Sequence, residues 1–345
     1  MDSRGEFTRA EILSQPEAWS AALAVLKAQQ NDIVSVWQNG CYDHVIFTGC
    51  GSTYYLALAA AALSQELSGQ PARGLPGSEL WLHPQSAYAR HGKTLLVAVS
   101  RSGETTETVR ACEAFNRAGR GDLVTISCYP DRPLTKLGML NIVLPSGQEE
   151  SIAQTRAFST LYLATIALAA WWSGQRSIVE ELARVPAAGR KLIENYHPLA
   201  QSIGTDSNLD RFYFLGSGLR YGLACEISLK MKEMSLSHSE PFHFMEFRHG
   251  PMSMVTNTTA LIGLVSEGNC AQEMKVLDEM GERGARLVSI GEAEVAAEFR
   301  SGVSEAACSV LFLPIGQLIA FERSLFNELN PDRPHNLTAV VKLSI

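Results

Sequence analysis

The sequence predicts an α/β protein with two similar lobes, each a parallel β-sheet covered by helices on both faces. Its 345 residues are too many for one ordinary domain and suit two of about 150 to 170 residues. Short apolar segments alternate with helical ones at the pace of right-handed βαβ units. Gly49 and Gly51 recur as Gly216 and Gly218, both 167 positions later, which indicates that the second lobe repeats the first.

The composition is that of a soluble globular protein, with 46% hydrophobic and 19% charged residues. Its formal net charge of −7 gives no basic field for a nucleic acid or an anionic membrane, so neither is expected as a partner. The apolar stretch 161–172 is too short to span a bilayer, and residues 1–7 lack the apolar run of a signal peptide. The seven cysteines form no CxxC pair. These features predict a cytoplasmic protein with reduced thiols.

Capping signals and periodicity divide the chain further. Thr8 and Glu11 form a capping box, which predicts a helix that starts there and buries Trp19. In the first lobe, apolar segments predict strands at 44–47, 94–99, 123–127 and 141–144. In the second lobe, 211–218 matches 44–51, and further strands are predicted at 260–265, 286–290 and 310–314. We expect an N-terminal helical segment (1–30), a first domain (31–175), a linking helix (176–200), a second domain (201–331) and a tail (332–345).

Two loops of the first lobe are small, polar and rich in hydroxyl groups, at 49–53 and 100–105. Each follows a predicted strand and precedes a helix, where backbone amides, hydroxyls and the helix dipole bind anions. Simple helix capping is the alternative for either loop, but two together favour a phosphate site. A dinucleotide site is disfavoured because Tyr54 replaces the third glycine of the GxGxxG fingerprint. The second-lobe counterpart carries Glu267, which predicts one phosphate site per chain.

A second informative segment follows the repeated glycine pair. Within a helix, Glu226, Lys230 and Glu233 share one face, a spacing that a surface ion-pair stripe also satisfies. The functional interpretation is that Glu233 is a general base tuned by burial and by Lys230, while a Gly-Pro turn presents His249. The nearby histidines lack the HExxH pattern and a fourth ligand, so no metal is expected.

These motifs resemble those of the double sugar-isomerase (SIS) family, whose members have two flavodoxin-like α/β lobes. The segments that carry the resemblance are GCGS at 49–52, SRSGET at 100–105, SIAQTRAF at 151–158, LKMKE at 229–233 and RHGP at 248–251. They follow the order seen in the isomerase half of glucosamine-6-phosphate synthase. Residues 8–19 and 247–251 are similar to tagatose-6-phosphate ketose/aldose isomerase-like proteins.

The resemblance implies a role for each matching residue. Glu233 is the base that moves a proton between C1 and C2 of a 6-phosphorylated sugar, Lys230 is its electrostatic partner, and His249 opens the sugar ring. The residues implied for the phosphate pocket are Ser100, Arg101, Ser102, Thr105, Cys50, Gly51 and Ser52. Ala153 and Gln154 are implied as sugar contacts. In the synthase a neighbouring subunit donates the histidine, so a homodimer with shared active sites is implied.

Some positions depart from the synthase pattern. Arg101 and Gln154 replace Gln and Ser, which alters the expected substrate contacts. Ala339 stands where the synthase has its Schiff-base lysine, and Lys342 would point to the opposite face if 338–345 were a strand. The glutaminase domain of the synthase has no counterpart, so we expect no glutamine-derived nitrogen.

The implied chemistry needs no metal or nucleotide cofactor. With an amine at C2, proton transfer gives a hydrolysable imine. We therefore predict an aminosugar-6-phosphate deaminase that yields ketose 6-phosphate and ammonia from glucosamine- or galactosamine-6-phosphate, both configurations being compatible with the motifs. The alternatives are a simple ketose/aldose phosphate isomerase, an ammonia-dependent synthase-like enzyme and, from another class, a phosphosugar-binding regulator.

Overall fold

The computed structural model describes residues 4–341. In it the chain forms two compact units. The amino-terminal unit contains residues 17–149, 156–183 and the segment that begins at 338, and the carboxyl-terminal unit contains residues 4–16, 150–155 and 184–337.

Each unit is built on one five-stranded parallel sheet. The amino-terminal sheet has the order β2-β1-β3-β4-β5 and consists of β1 (His44–Gly49), β2 (Ala72–Pro76), β3 (Thr94–Ser100), β4 (Gly121–Ser127) and β5 (Leu140–Val143). The carboxyl-terminal sheet has the order β7-β6-β8-β9-β10 and consists of β6 (Arg211–Gly216), β7 (His238–Phe242), β8 (Thr259–Leu264), β9 (Arg286–Gly291) and β10 (Ala297–Glu298). Numbered within each unit, both orders are the flavodoxin-like 2-1-3-4-5. The predicted fold class and the internal repeat are confirmed.

Helices flank both sheets. In chain order they are α1 (Glu6–Leu13), α2 (Gln15–Ala28), α3 (Gln30–Gly40), α4 (Ser52–Ser68), α5 (Gly77–Leu82), α6 (Pro84–Ala87), α7 (Thr106–Arg117), α8 (Arg156–Trp172), α9 (Arg176–Leu182), α10 (Val185–Gly204), α11 (Leu219–Ser235), α12 (Phe244–Phe247), α13 (Cys270–Gly281), α14 (Glu305–Cys308) and α15 (Leu313–Phe326). Apart from the first two residues of α2, helices α2 to α9 belong to the amino-terminal unit.

The core of each unit lies against its central strand. Every residue of β3 and β8 is buried, as expected for parallel strands covered on both faces. The helical stretch Glu305–Phe326 is long and apolar enough to cross a membrane by composition, and 94% of its most apolar window is buried inside the fold. Packing within the carboxyl-terminal unit therefore accounts for its apolar character.

The predicted strand at 310–314 is wrong. These residues complete the 3₁₀ turn Ser309–Phe312 and begin α15. Both elements are buried on all sides, and periodicity cannot distinguish a short buried strand from a buried helix. Of the segment 338–345, the described residues 338–341 form no strand, and Lys342 lies outside the described residues.

The predicted capping box at Thr8 is also wrong. Helix α1 begins at Glu6, after Gly5 in a left-handed conformation. The backbone N and Oγ1 of Thr8 instead donate to Asp332 Oδ1 at 2.8 and 2.7 Å. The Thr8 hydroxyl, which the local pattern assigned to a helix cap, thus donates to a carboxylate distant in sequence. Glu11, the other residue of the predicted capping box, also has a distant partner.

Candidate functional site

Strand pairing brings the two hydroxyl-rich loops of the amino-terminal unit together. β1 and β3 pair in parallel register, with Thr48 opposite Ala98, so the loops that follow them leave the same edge of the sheet. Cys50 Sγ lies 3.3 Å from Thr108 Oγ1, which links the first loop to the helix that follows the second. Residues 49–53 and 100–105 are referred to below as the cradle.

A turn that requires glycine lies in the first half of the cradle. Gly51 has φ 57° and ψ −124°, a conformation open to glycine and unfavourable for other residues. Immediately afterwards α4 begins, and Thr53 Oγ1 accepts a hydrogen bond from Cys50 N at 2.9 Å. Gly218 has nearly the same conformation, φ 58° and ψ −134°, before α11. The repeated glycine therefore marks the same strand-to-helix turn in both units.

The second half of the cradle is organised by its own hydroxyls. Ser100 Oγ accepts a hydrogen bond from Gly103 N at 3.1 Å, and Ser102 Oγ accepts one from Glu104 N at 3.2 Å. Ser100 Oγ and Thr105 Oγ1 lie 3.4 Å apart. These groups precede the 12-residue helix α7, whose amino-terminal dipole favours an anion.

Arg101 connects the cradle to other parts of the amino-terminal unit. Its guanidinium lies 3.1 Å from Glu149 Oε2 and donates to the carbonyl oxygen of Ala339 at 3.3 Å. Glu149 has no exposed side-chain surface, and its Oε1 accepts a hydrogen bond from Ala157 N at 3.0 Å. Arg101 therefore braces the loop, and its charge is paired with that of Glu149.

In the carboxyl-terminal unit a carboxylate occupies the loop that corresponds to 100–105. Ser266 Oγ accepts a hydrogen bond from Asn269 N at 3.2 Å, the same i, i+3 bond that Ser100 makes. Glu273 Oε2 accepts hydrogen bonds from Ser266 N at 2.6 Å and from Ser266 Oγ at 3.0 Å. Burial raises the pKa of Glu273. Glu267, which was predicted to occupy this place, is exposed; the carboxylate in the loop is that of Glu273, in the first turn of α13.

Helix α11 carries a buried ion triad. The side chains of Glu226 and Lys230 have no exposed surface, while that of Glu233 is 20% exposed. Lys230 Nζ lies 3.4 Å from Glu226 Oε1 and donates to Glu233 Oε2. Burial alone would lower the pKa of Lys230, but the two carboxylates outweigh it and the pKa is raised. The lysine is therefore a fixed positive charge, and the surface-stripe alternative is excluded.

Glu226 is the residue of this group to which the sequence analysis gave no role. Its i, i+4 spacing to Lys230 was the available signal, but the spacing could not show that both side chains are buried. The structure makes Glu226 the inner carboxylate of the triad and Glu233 the outer one.

His249 and the predicted sugar-contact residues also lie in the carboxyl-terminal unit. His249 is exposed in the turn after α12, where its backbone N donates to Glu246 O at 3.0 Å and Gly250 has φ 117°. Ala153 is buried, and Gln154 is half-buried with Oε1 shielded from solvent and, within the described structure, without a hydrogen-bond partner. The structure thus places the cradle residues in the amino-terminal unit, and the triad, His249, Ala153 and Gln154 in the carboxyl-terminal unit.

A family model described as the SIS domain matches residues 41–171 and 207–295. The chain belongs to the SIS domain family. In this SIS protein the two matched segments contain the cradle and the triad, respectively.

Relatives of this SIS protein include the glutamine–fructose-6-phosphate aminotransferase (isomerizing) of Methanothermobacter thermautotrophicus, which is 26% identical over 97% of the chain. The chain spans 57% of the length of that relative. A glucosamine-6-phosphate deaminase from Thermotoga maritima has a structure with a TM-score of 0.75 at 25% identity, covering 94% of this chain and 100% of that one. Tagatose-6-phosphate ketose/aldose isomerase from Escherichia coli shares the fold, with a TM-score of 0.85 at 21% identity over 95% of both chains.

Proposed function

We propose that the protein is an aminosugar-6-phosphate deaminase that converts glucosamine- or galactosamine-6-phosphate to ketose 6-phosphate and ammonia. The observation that carries the proposal is the α11 triad, in which a fully buried lysine orients a partly exposed carboxylate. Membership of the SIS family, with relatives named for fructose-6-phosphate and glucosamine-6-phosphate, supports a sugar phosphate as substrate.

In this proposal the cradle binds the phosphate group. Ser52, Ser100, Ser102 and Thr105 supply hydroxyls, and the loops supply backbone amides at the starts of α4 and α7. Gly51 lets the backbone approach the anion closely, and Cys50 lines the pocket. Arg101 stays a predicted phosphate residue, and its pairing with Glu149 supports the additional role of holding the loop in shape.

Glu233 is proposed as the base for proton transfer. His249 opens the sugar ring, after which the Glu233 carboxylate takes the proton from C2 and an enolamine forms between C1 and C2. Return of the proton to C1 leaves an imine at C2; water adds to this carbon and ammonia leaves, giving the ketose phosphate. Lys230 holds the carboxylate in place through a direct hydrogen bond. Ala153 and Gln154 contact the sugar.

We further propose a cytoplasmic homodimer with shared active sites. The exposure of His249 on its own chain supports donation of this residue to a neighbouring subunit. The seven cysteines are all free thiols, which supports a reducing compartment.

A panel of 6-phosphorylated sugars, assayed for both ammonia and ketose, tests the proposal. The expected result is release of equal amounts of ammonia and ketose phosphate from glucosamine- or galactosamine-6-phosphate. Glu233→Gln is expected to abolish turnover and to retain ligand-induced thermal stabilisation, because it removes the base and keeps the fold. Ketose formed without ammonia from aldose phosphates that lack an amino group would instead support the simple isomerase. Binding without any turnover would support the regulator.

A further inference from the structure

A buried carboxylate of helix α1 holds the loop formed by residues 150–155, which carries the predicted sugar contacts. Glu11 is 3% exposed. Its Oε1 accepts hydrogen bonds from Glu150 N at 2.7 Å and from Ser151 N at 3.2 Å, and its Oε2 accepts one from Ser151 Oγ. All of these residues belong to the carboxyl-terminal unit. The Glu11 side chain therefore holds the first two residues of a loop that begins 139 positions later in the sequence.

Further bonds within the same unit hold the rest of the loop. Ile152 N donates to the carbonyl oxygen of Asp332 at 3.0 Å, and the carboxylate of Asp332 accepts the two hydrogen bonds from Thr8. Thr155 O accepts a hydrogen bond from Gln317 Nε2 at 3.2 Å, and Gln317 Oε1 accepts one from Gln15 Nε2 at 2.9 Å. Segment 8–15 thus holds both ends of the loop by hydrogen bonds. Glu11 bonds to the loop directly, whereas Thr8 and Gln15 act through Asp332 and Gln317.

In the described structure, one buried side-chain oxygen of this loop has no hydrogen-bond partner. Gln154 Oε1 is shielded from solvent and, in the described structure, accepts no hydrogen bond. A buried acceptor without a donor costs about 1–3 kcal/mol, so such atoms are uncommon unless a ligand or water satisfies them. A sugar presents hydroxyl or ammonium donors of the kind that an amide oxygen accepts.

We propose that Glu11 is a positioning residue that sets the backbone of loop 150–155 so that Gln154 presents its amide oxygen to a hydroxyl or ammonium group of the bound sugar. The inference rests on the proposed function and deepens it, since it assigns recognition of the sugar to the carboxyl-terminal unit. Recognition of the phosphate belongs to the cradle in the other unit, and the two contributions are therefore separable by mutation.

The experiment compares binding of glucosamine-6-phosphate with binding of inorganic phosphate by isothermal titration calorimetry, with every variant made in the Glu233→Gln background so that the sugar phosphate is bound without turnover. Glu11→Ala removes the acceptor and is expected to weaken binding of the sugar phosphate by up to about tenfold, roughly the effect of losing one well-placed hydrogen bond. Binding of inorganic phosphate is expected to stay unchanged. Glu11→Gln keeps an oxygen for the two backbone donors and should remain within about twofold of the Glu233→Gln parent. Glu6→Ala removes an exposed carboxylate from the same helix and serves as the matched control.

Two results would overturn the inference: unchanged binding of glucosamine-6-phosphate in Glu11→Ala, or an equal loss for both ligands. If Glu11→Ala does not fold, Ser151→Ala removes one of the same hydrogen bonds, and the same selective loss is expected at smaller size. Failure of the proposed function would be visible separately, because the wild-type protein itself would then release no ammonia from glucosamine- or galactosamine-6-phosphate.

Discussion

Lys230 shows how strongly its neighbours determine what a single residue can do. A fully buried ammonium group is stable here because two carboxylates of the same helix lie beside it. The arrangement leaves one carboxylate, Glu226, wholly inside and the other, Glu233, partly accessible. An accessible carboxylate held by a buried cation is the arrangement that a positioned base requires.

Replacing Lys230 should therefore be costly for stability. Lys230→Met leaves two adjacent carboxylates without their cation, and we expect the free energy of unfolding to fall by about 3–5 kcal/mol. Adding Glu226→Gln should recover part of this loss, because it removes the buried charge left behind. Denaturation in urea measures both effects.

Lys232→Met is the matched control for this prediction, since Lys232 lies on the same helix and is exposed. It should change the unfolding free energy by less than about 0.5 kcal/mol. Equal effects of the two lysine variants would show that the triad is not the reason for the stability of this helix.

At the scale of single elements, the glycine turns offer a test with an internal control. Gly51 and Gly218 share one backbone conformation at equivalent positions, and an added Cβ would meet nothing within 4 Å at either. Alanine at each position should therefore cost about 1–3 kcal/mol through backbone strain alone.

Only the Gly51→Ala variant should lose affinity for inorganic phosphate, because Gly51 belongs to the cradle. Gly218→Ala should match it in thermal destabilisation and bind phosphate like the wild type. Loss of phosphate binding in both variants, or in neither, would contradict the assignment of the anion site to the amino-terminal unit.

Most strands could be predicted from the sequence, and the failures have physical causes. Strands β1, β3 and β8 are apolar and central, so hydrophobicity revealed them. Strands β2, β7 and β10 were not predicted, and all three lie at sheet edges. β2 and β7 each contain a proline, and β10 has only two residues. Residues 310–314 were assigned to a strand because a short apolar run has no detectable period.

For the molecule as a whole, duplication explains the fold, and the differences between the copies concern the candidate site. Both units keep the strand order and the glycine turn, but Glu273 fills the second copy of the hydroxyl loop. Sequence pattern identified the cradle and the Lys–Glu spacing, since each lies within one short segment. It could not reveal the partners of Arg101 or Glu11, because those hydrogen bonds join residues 48 to 238 positions apart.

The central claim is that Glu233 moves a proton between C1 and C2 of a 6-phosphorylated aminosugar. Glucosamine-6-phosphate carrying deuterium at C2, followed by NMR with the wild type and with Glu233→Gln, tests it most directly. We predict that the wild type removes the label from C2, to C1 or to solvent, as ketose phosphate forms, and that Glu233→Gln leaves it in place. Equally fast loss of the label with both proteins, or retention of deuterium at C2 by all sugars in the panel, would contradict the account.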